Sequence, residues 1–241
     1  MVRLPKRVLC LHGGGTNEAV LVQQTAKLRA AMKGVSFDFH EATRPYPLDE
    51  VDPRVRARFG DQGGYFNWFG VEFDREVESI ADYVPTLLDD SVTFRYVDAE
   101  AALDTLDSAI QRRGPYDALL GFSQGAILIT LLTALTLRRG NRPSWRANLC
   151  VCGMPVRDNS YRQLFEQPLD FPAMLAFGTA DPFYPWASRL RAAYKDPTVV
   201  EYGEGHRFPH DREANTALAT AIQLALEQGD LEGDLEQRAR L

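Results

Sequence analysis

The sequence predicts an α/β fold: a mostly parallel central sheet of about six strands with helices on both faces. Three observations carry that prediction. Short apolar runs alternate with helix-period segments along the 241 residues, which is the pattern of strand–helix units feeding a parallel sheet. The run at 118–120 leads into Gly121-x-Ser123-x-Gly125 and then into an apolar stretch from 126 long enough for a buried helix. Strand, sharp turn and helix therefore follow one another there. Lastly, the loops with chemically versatile residues each follow a predicted strand, which gathers them on one edge of such a sheet.

Taken in order, residues 7–11 form a first strand apolar on both faces, followed by His12, three glycines, Thr16 and Asn17. The glycines let the backbone fold close to whatever lies above the sheet. A helix is predicted over 17–32, with Leu21, Thr25, Leu28 and Met32 on one face and Gly34 ending it. Residues 35–40 alternate apolar and polar, the mark of a strand near a sheet edge. The stretch 41–97 is the least regular, broken by Pro45, Pro47, Pro53, Gly60, Gly63, Gly64 and Gly70. Its aromatics, Tyr65, Phe66, Trp68, Phe69, Phe73 and Tyr83, have two readings. They pin a loop onto the core, or some of them, with Phe66, Trp68 and Phe69 as candidates, wall an apolar substrate.

Asp98 is placed to cap a helix to about 113, with Leu103, Leu106 and Ile110 on one face, and Gly114-Pro115 stops it. The helix after the Ser123 turn ends near 138–140. Strands are predicted at 148–152, 172–178 and 198–202, with a connector at 158–171 and helices at 185–194 and 212–227. The tail, 229–241, alternates charge and glycine and is expected to fray. No repeat and no linker divides the chain, so one domain spanning 1–241 is expected.

The formal charge of −6, with no basic stripe, argues against a nucleic-acid partner. The amino terminus lacks a secretory apolar region and leads straight into the first strand. The longest apolar run, 126–137, is too short to span a bilayer, so a cytoplasmic protein is expected. Cys10, Cys150 and Cys152 sit in apolar runs and read as buried small hydrophobes, with a metal or redox pair of Cys150 and Cys152 as the lesser alternative. The last two are two apart on a predicted strand and should face the same side. No cluster of His, Cys and Asp shows metal-ligand spacing. The glycine loop lacks the Gly-Lys-Ser/Thr that would make it a phosphate cradle.

A serine hydroxyl becomes a nucleophile only beside a base, and the base needs a group that fixes its tautomer. Ser123, Asp181 and His206 occur in that order, each just after a predicted strand. His12 is better placed to brace the glycine loop, His40 ends an edge strand and should be solvated, and His210 is the competing base. Asp158 is the competing acid. The backbone N–H groups of Gln124 and Gly14, with Gly13 next, are the candidate donors to a developing oxyanion.

These residues form a family pattern. Val8-Leu-Cys-Leu-His-Gly13, Gly114-Pro-Tyr-Asp-Ala-Leu-Leu-Gly-Phe-Ser-Gln-Gly-Ala126, Phe177-Gly-Thr-Ala-Asp-Pro182 and Gly205-His206-x-x-Pro209 together resemble the FSH-type family of serine hydrolases over residues 5–227. The resemblance implies an α/β-hydrolase fold without a large cap domain and a Ser123–Asp181–His206 triad. It also implies no cofactor or metal, and hydrolysis of a small-molecule ester or thioester. The family more often has a bulky residue where this chain has Gly14 and Gly15, which implies a wider acyl pocket. With the aromatic segment, that suggests medium to long or otherwise apolar acyl groups. An acyltransferase on the same triad and a ligand-binding protein on the same fold are the alternatives. No sequence feature sets an oligomeric state.

Overall fold

The computed structural model describes residues 5–61, 63–77 and 80–239. The first part of the chain runs β1 (Lys6–Leu11), α1 (Glu18–Gln24), α2 (Ala26–Ala31), β2 (Val35–His40), β3 (Arg44–Pro45), α3 (Pro53–Phe59), β4 (Phe66–Asn67) and β5 (Gly70–Phe73). Next come α4 (Ile80–Leu88), β6 (Phe94–Val97), α5 (Ala99–Arg113), β7 (Ala118–Phe122), α6 (Gln124–Arg138) and β8 (Ala147–Val151). A 3-10 turn (Asn159–Phe165), β9 (Ala173–Gly178), α7 (Ala187–Ala192), β10 (Thr198–Tyr202) and α8 (Arg212–Ala239) complete it. Residues 1–4, read as leading into the first strand, lie outside the described part.

Six strands pair in the order β2-β1-β7-β8-β9-β10, parallel at every junction. The alternating strand β2 takes an edge, as its pattern predicts. The chain leaves β1 for β2 and then returns to the other side of β1, so the strand order reverses between β1 and β7. In sheets of this kind ligands bind at that switch point, above the carboxyl ends of the strands. Helices cover both faces, which is why the inner strands are almost wholly apolar, with Asn148 of β8 the buried polar exception among β7, β8 and β9. On one face Leu21, Leu28, Leu218 and Ile222 pack on Val8, Cys10 and Leu120. On the other, Leu106, Ile110, Leu128 and Leu131 pack on Leu9, Leu119 and Leu175.

The details depart from expectation in four places. The helix over 17–32 is two, α1 and α2, which meet at Thr25; there the Thr25 N–H still donates to the Leu21 carbonyl at 2.9 Å and the Thr25 carbonyl accepts the Arg29 N–H at 2.8 Å. Asn17 caps α1 by accepting the Val20 N–H at 2.9 Å. Asp98 does not cap α5: its backbone lies at φ 63° and its carboxylate pairs with Arg44 instead. The helix expected to end at 227 does not stop there, since α8 continues to Ala239 through the tail expected to fray. Leu, Glu, Gln, Arg and Ala outnumber two glycines there, and no proline intervenes. Residues 240–241 lie outside the described part. Finally, the irregular stretch holds α3, α4 and two short antiparallel ribbons, β3–β4 and β5–β6. Strands of two to four residues are too short to show a period. Among the described residues no helix is long and apolar enough to cross a membrane.

Candidate active site

Ser123 stands between β7 and α6 with φ 50° and ψ −115°. That conformation is strained for a residue with a side chain and is held by its surroundings. A Cβ on Gly121 would lie 2.4 Å from the Ala126 nitrogen, and one on Gly125 2.7 Å from the Leu11 carbonyl oxygen. Only glycine lets the turn close this tightly against its own helix and against β1. The Ser123 N–H donates to the Val151 carbonyl at 3.0 Å, tying the turn to β8.

The loops after β9 and β10 are stitched together. Thr179 N–H donates to Tyr202 O at 2.8 Å and Ala180 N–H to Glu204 O at 3.0 Å. This sets Asp181 beside His206. The Asp181 carboxylate, 3% exposed, accepts the Phe183 N–H on Oδ1 at 2.8 Å and His206 Nδ1–H on Oδ2 at 2.7 Å. An ionised carboxylate only accepts, so Nδ1 carries the ring proton and Nε2 is left as the acceptor. Phe122 and Phe183 each hold the imidazole at a centroid distance of 5.1 Å, Phe183 edge-on. Among the described residues no hydrogen bond joins the Ser123 hydroxyl to His206, although the ring packs on Phe122, the residue before Ser123. Such bonds are often long until substrate is seated. The competing candidates are engaged elsewhere. His210 Nδ1 pairs with Glu204 Oε2 at 3.0 Å. Asp158 accepts the N–H groups of Tyr96 at 2.6 Å and Ser160 at 2.8 Å.

Across the switch point, His12 braces the glycine loop. Its buried ring donates from Nδ1 to Gly13 O at 2.7 Å and accepts the Ala42 N–H on Nε2 at 3.1 Å. Burial pushes its pKa down to about 4, so the ring is neutral. The Gly15 N–H donates to Phe66 O at 3.0 Å and to Asn67 Oδ1 at 2.7 Å. Among the described residues the N–H groups of Gly14 and Gln124 donate to no protein acceptor. The second of these lies at the amino end of α6, where the helix dipole favours negative charge.

The aromatic segment is a strut. The Gln124 side chain accepts the Trp68 N–H on Oε1 at 2.7 Å and donates from Nε2 to Phe69 O at 2.9 Å. Trp68 Nε1–H donates to His12 O at 2.8 Å. Trp68 is therefore buried, and Phe69 is fully buried with its ring 4.4 Å from that of Tyr96. As a substrate wall this corrects Phe69, which is wholly in the core because its backbone is pinned to the Ser123 turn; Trp68 is pinned likewise but also lines a cavity with Thr43, Arg44 and Ala101. Phe66 stays half-buried. His40 is corrected too. Trp68 covers it at 5.6 Å, and burial, with Arg113 and Arg112 nearby, pushes its pKa down to about 4.

The cysteines are free and buried, but Cys150 and Cys152 face opposite layers. Cys152 lies just past β8 with φ 48°, which breaks the strand alternation. Its sulfur, an Asp181 oxygen and a His206 nitrogen lie within 4.8 Å of one another, a proximity that linear spacing did not reveal. Burial pushes the Cys152 thiol up to about 12. Sequence reasoning also missed Phe183 and Arg157. The Arg157 guanidinium stacks over Phe94 at 4.3 Å and Trp186 at 4.9 Å, and donates to Asp89 O and Val92 O, each at 2.9 Å. It fastens a small apolar cluster of Leu87, Val92, Phe94 and Trp186, against which Met154 and Phe183 pack.

The chain matches the family described as serine hydrolase (FSH1) over residues 1–218. Esterase OVCA2 of Homo sapiens is 30% identical over 214 residues, which is 85% of this chain and 90% of that protein. The dihydromonacolin L-[lovastatin nonaketide synthase] thioesterase of Aspergillus terreus is 30% identical over 134 residues, 55% of this chain and 48% of that one. The crystal structure of a carboxylesterase from Mesorhizobium loti superposes with a TM-score of 0.57 at 18% identity, covering 90% of this chain and 88% of that one. The fold is that of the α/β-hydrolases.

Proposed function

The chain belongs to the serine hydrolase (FSH1) family and is an enzyme of the esterase class; from that premise we propose that it cleaves esters or thioesters of apolar acids through Ser123, His206 and Asp181. The observation that carries the assignment is the 2.7 Å hydrogen bond between Asp181 and His206 on the sheet edge that also bears the strained Ser123 turn. Asp181 keeps the ring proton on Nδ1. His206 Nε2 takes the Ser123 proton as the hydroxyl oxygen attacks the acyl carbonyl. The N–H groups of Gly14 and Gln124 receive the oxyanion. The ring then returns its proton to the leaving alcohol or thiol, and water clears the acyl-enzyme by the same steps.

The acyl group lies toward the ends of β8 and β9. Met154 and Phe183 there belong to an apolar cluster, and Phe183 touches His206. The thioester half of the reading draws on the thioesterase relative.

Hydrolysis of p-nitrophenyl esters from acetate to palmitate by wild type and Ser123→Ala tests the assignment. Loss of at least about a thousandfold in the variant is expected, together with fluorophosphonate labelling of wild type alone. Equal turnover by both proteins overturns it. Tight retention of an apolar ligand without turnover favours a binding protein instead.

A further inference from the structure

We propose that Cys152, Asp181 and His206 form an inhibitory site for a zinc-class divalent cation. The thiol has no part in the reaction above, yet the fold holds it at the acid–base pair. A residue with a side chain at φ 48° is held there by its surroundings, and here the turn brings the sulfur to the layer of β10 and its loop. The sulfur lies 3.2 Å from the Tyr202 hydroxyl and 3.6 Å from Arg207 O.

Sulfur, carboxylate oxygen and imidazole nitrogen are the borderline-soft donors that zinc takes, and three protein ligands with a fourth place for water is a common zinc arrangement. The three donor atoms lie within 4.8 Å of one another. Zinc–ligand bonds of about 2.0–2.3 Å at tetrahedral angles put donors about 3.3–3.7 Å apart. Asp181 Oδ2 and His206 Nδ1, 2.7 Å apart, must therefore spread by more than about half an ångström and give up their hydrogen bond, while the sulfur closes in on them from within 4.8 Å. One outer contact is in place, the Phe183 N–H on the second carboxylate oxygen; the Tyr202 hydroxyl, 3.2 Å from the sulfur, donates to Arg207 O at 2.6 Å and would turn its proton to the sulfur on metal binding. His206 is the most exposed of the three and forms the entry.

Inhibition follows from the proton balance. The nitrogen turned toward Asp181 is Nδ1, so a cation shared with that carboxylate binds Nδ1. The thiol proton leaves to solvent as the metal–sulfur bond forms. The ring proton moves from Nδ1 to Nε2. An Nε2–H cannot accept the Ser123 proton, so the cation traps the wrong tautomer. This inhibitory half rests on the triad reading; the metal site itself does not.

The test uses the metal-free full chain, titrated with Co²⁺ and with Zn²⁺. Wild type and the control Cys150→Ser are expected to bind one equivalent and to show a near-ultraviolet sulfur-to-cobalt charge-transfer band. Cys152→Ser should lose the band. His206→Gln, which leaves the thiol in place, should bind Co²⁺ at least about tenfold more weakly. Zn²⁺ should abolish ester hydrolysis by wild type, with recovery on adding a chelator, and act at least about tenfold more weakly on Cys152→Ser. Absence of the band in wild type, its survival in Cys152→Ser, or unchanged Co²⁺ affinity in His206→Gln overturns the site. If the protein hydrolyses no ester, the cobalt band still decides the metal site, so the two readings fail separately.

Discussion

Replacing Gln124 by leucine separates the work of its side chain from that of its backbone. The N–H proposed for the oxyanion remains, because leucine keeps it. The two hydrogen bonds to the strut are lost, from Trp68 N–H at 2.7 Å and to Phe69 O at 2.9 Å. Leaving a buried polar group unpaired costs about 1–3 kcal/mol. Both bonds are only partly buried, so the low end applies, about 2–3 kcal/mol for the pair. For a chain of this length each kcal/mol moves the melting temperature by about 2–4 °C, so a fall of about 5–10 °C is expected. The strut also joins the glycine loop to the Ser123 turn, through Asn67 and Trp68 on one side and Gln124 on the other. Removing an oxyanion donor outright lowers kcat about 10²–10³-fold. A displaced donor does less, so a loss of about tenfold with KM nearly unchanged is expected. Thermal melts and p-nitrophenyl ester kinetics read the two effects. A wild-type melting temperature refutes the strut. A lowered one with wild-type kcat refutes its coupling to the oxyanion donors.

Three further outcomes follow from the geometry. Asp181→Asn keeps the shape of the loop but lets the ring adopt the wrong tautomer. Its kcat should fall about 10⁴-fold with little change in melting temperature, and activity within tenfold of wild type would remove Asp181 from the mechanism. Gly121→Ala places a Cβ within 2.5 Å of three backbone atoms and should give inactive, poorly folded protein, whereas Gly203→Ala, with open space around its Cβ, should be neutral; soluble yield and activity compare them. His12 is held near 4 when folded against 6.5 for the free group, so between those values the unfolded chain binds more protons. Stability attributable to His12 is then present above pH 6.5 and lost as pH falls toward 4, by about 3 kcal/mol; urea titrations of wild type and His12→Asn that differ by a constant amount across that window would contradict it.

The elements legible in the chain were those whose cause is local. Gly121, Ser123 and Gly125 sit within one turn, and the crowding that demands Gly121 comes from its own neighbours Gly125 and Ala126, although Gly125 is crowded by Leu11 and His12 at the end of β1. Strands covered on both faces are almost wholly apolar, and β2, covered less, alternates. Legibility stopped where a partner lies far along the chain. Whether Trp68 and Phe69 face a cleft or the core is decided by Gln124 and His12, more than fifty residues away in each case. His40 is covered rather than solvated because Trp68 lies on it. Cys152 joins Asp181 and His206 because one backbone angle beyond β8 turns it out of the strand's alternation.

The sequence by itself determined the α/β class, the Ser123 turn and the succession of serine, acid and histidine after successive strands, because periodicity and turn sterics act over a few residues. Only the tertiary structure decided that Asp181 takes His206 rather than His210, that the aromatic segment braces the glycine loop, and that the Cys152 thiol stands beside Asp181 and His206. Those contacts depend on how six strands order themselves in one sheet, and strand order brings together residues that no local pattern connects.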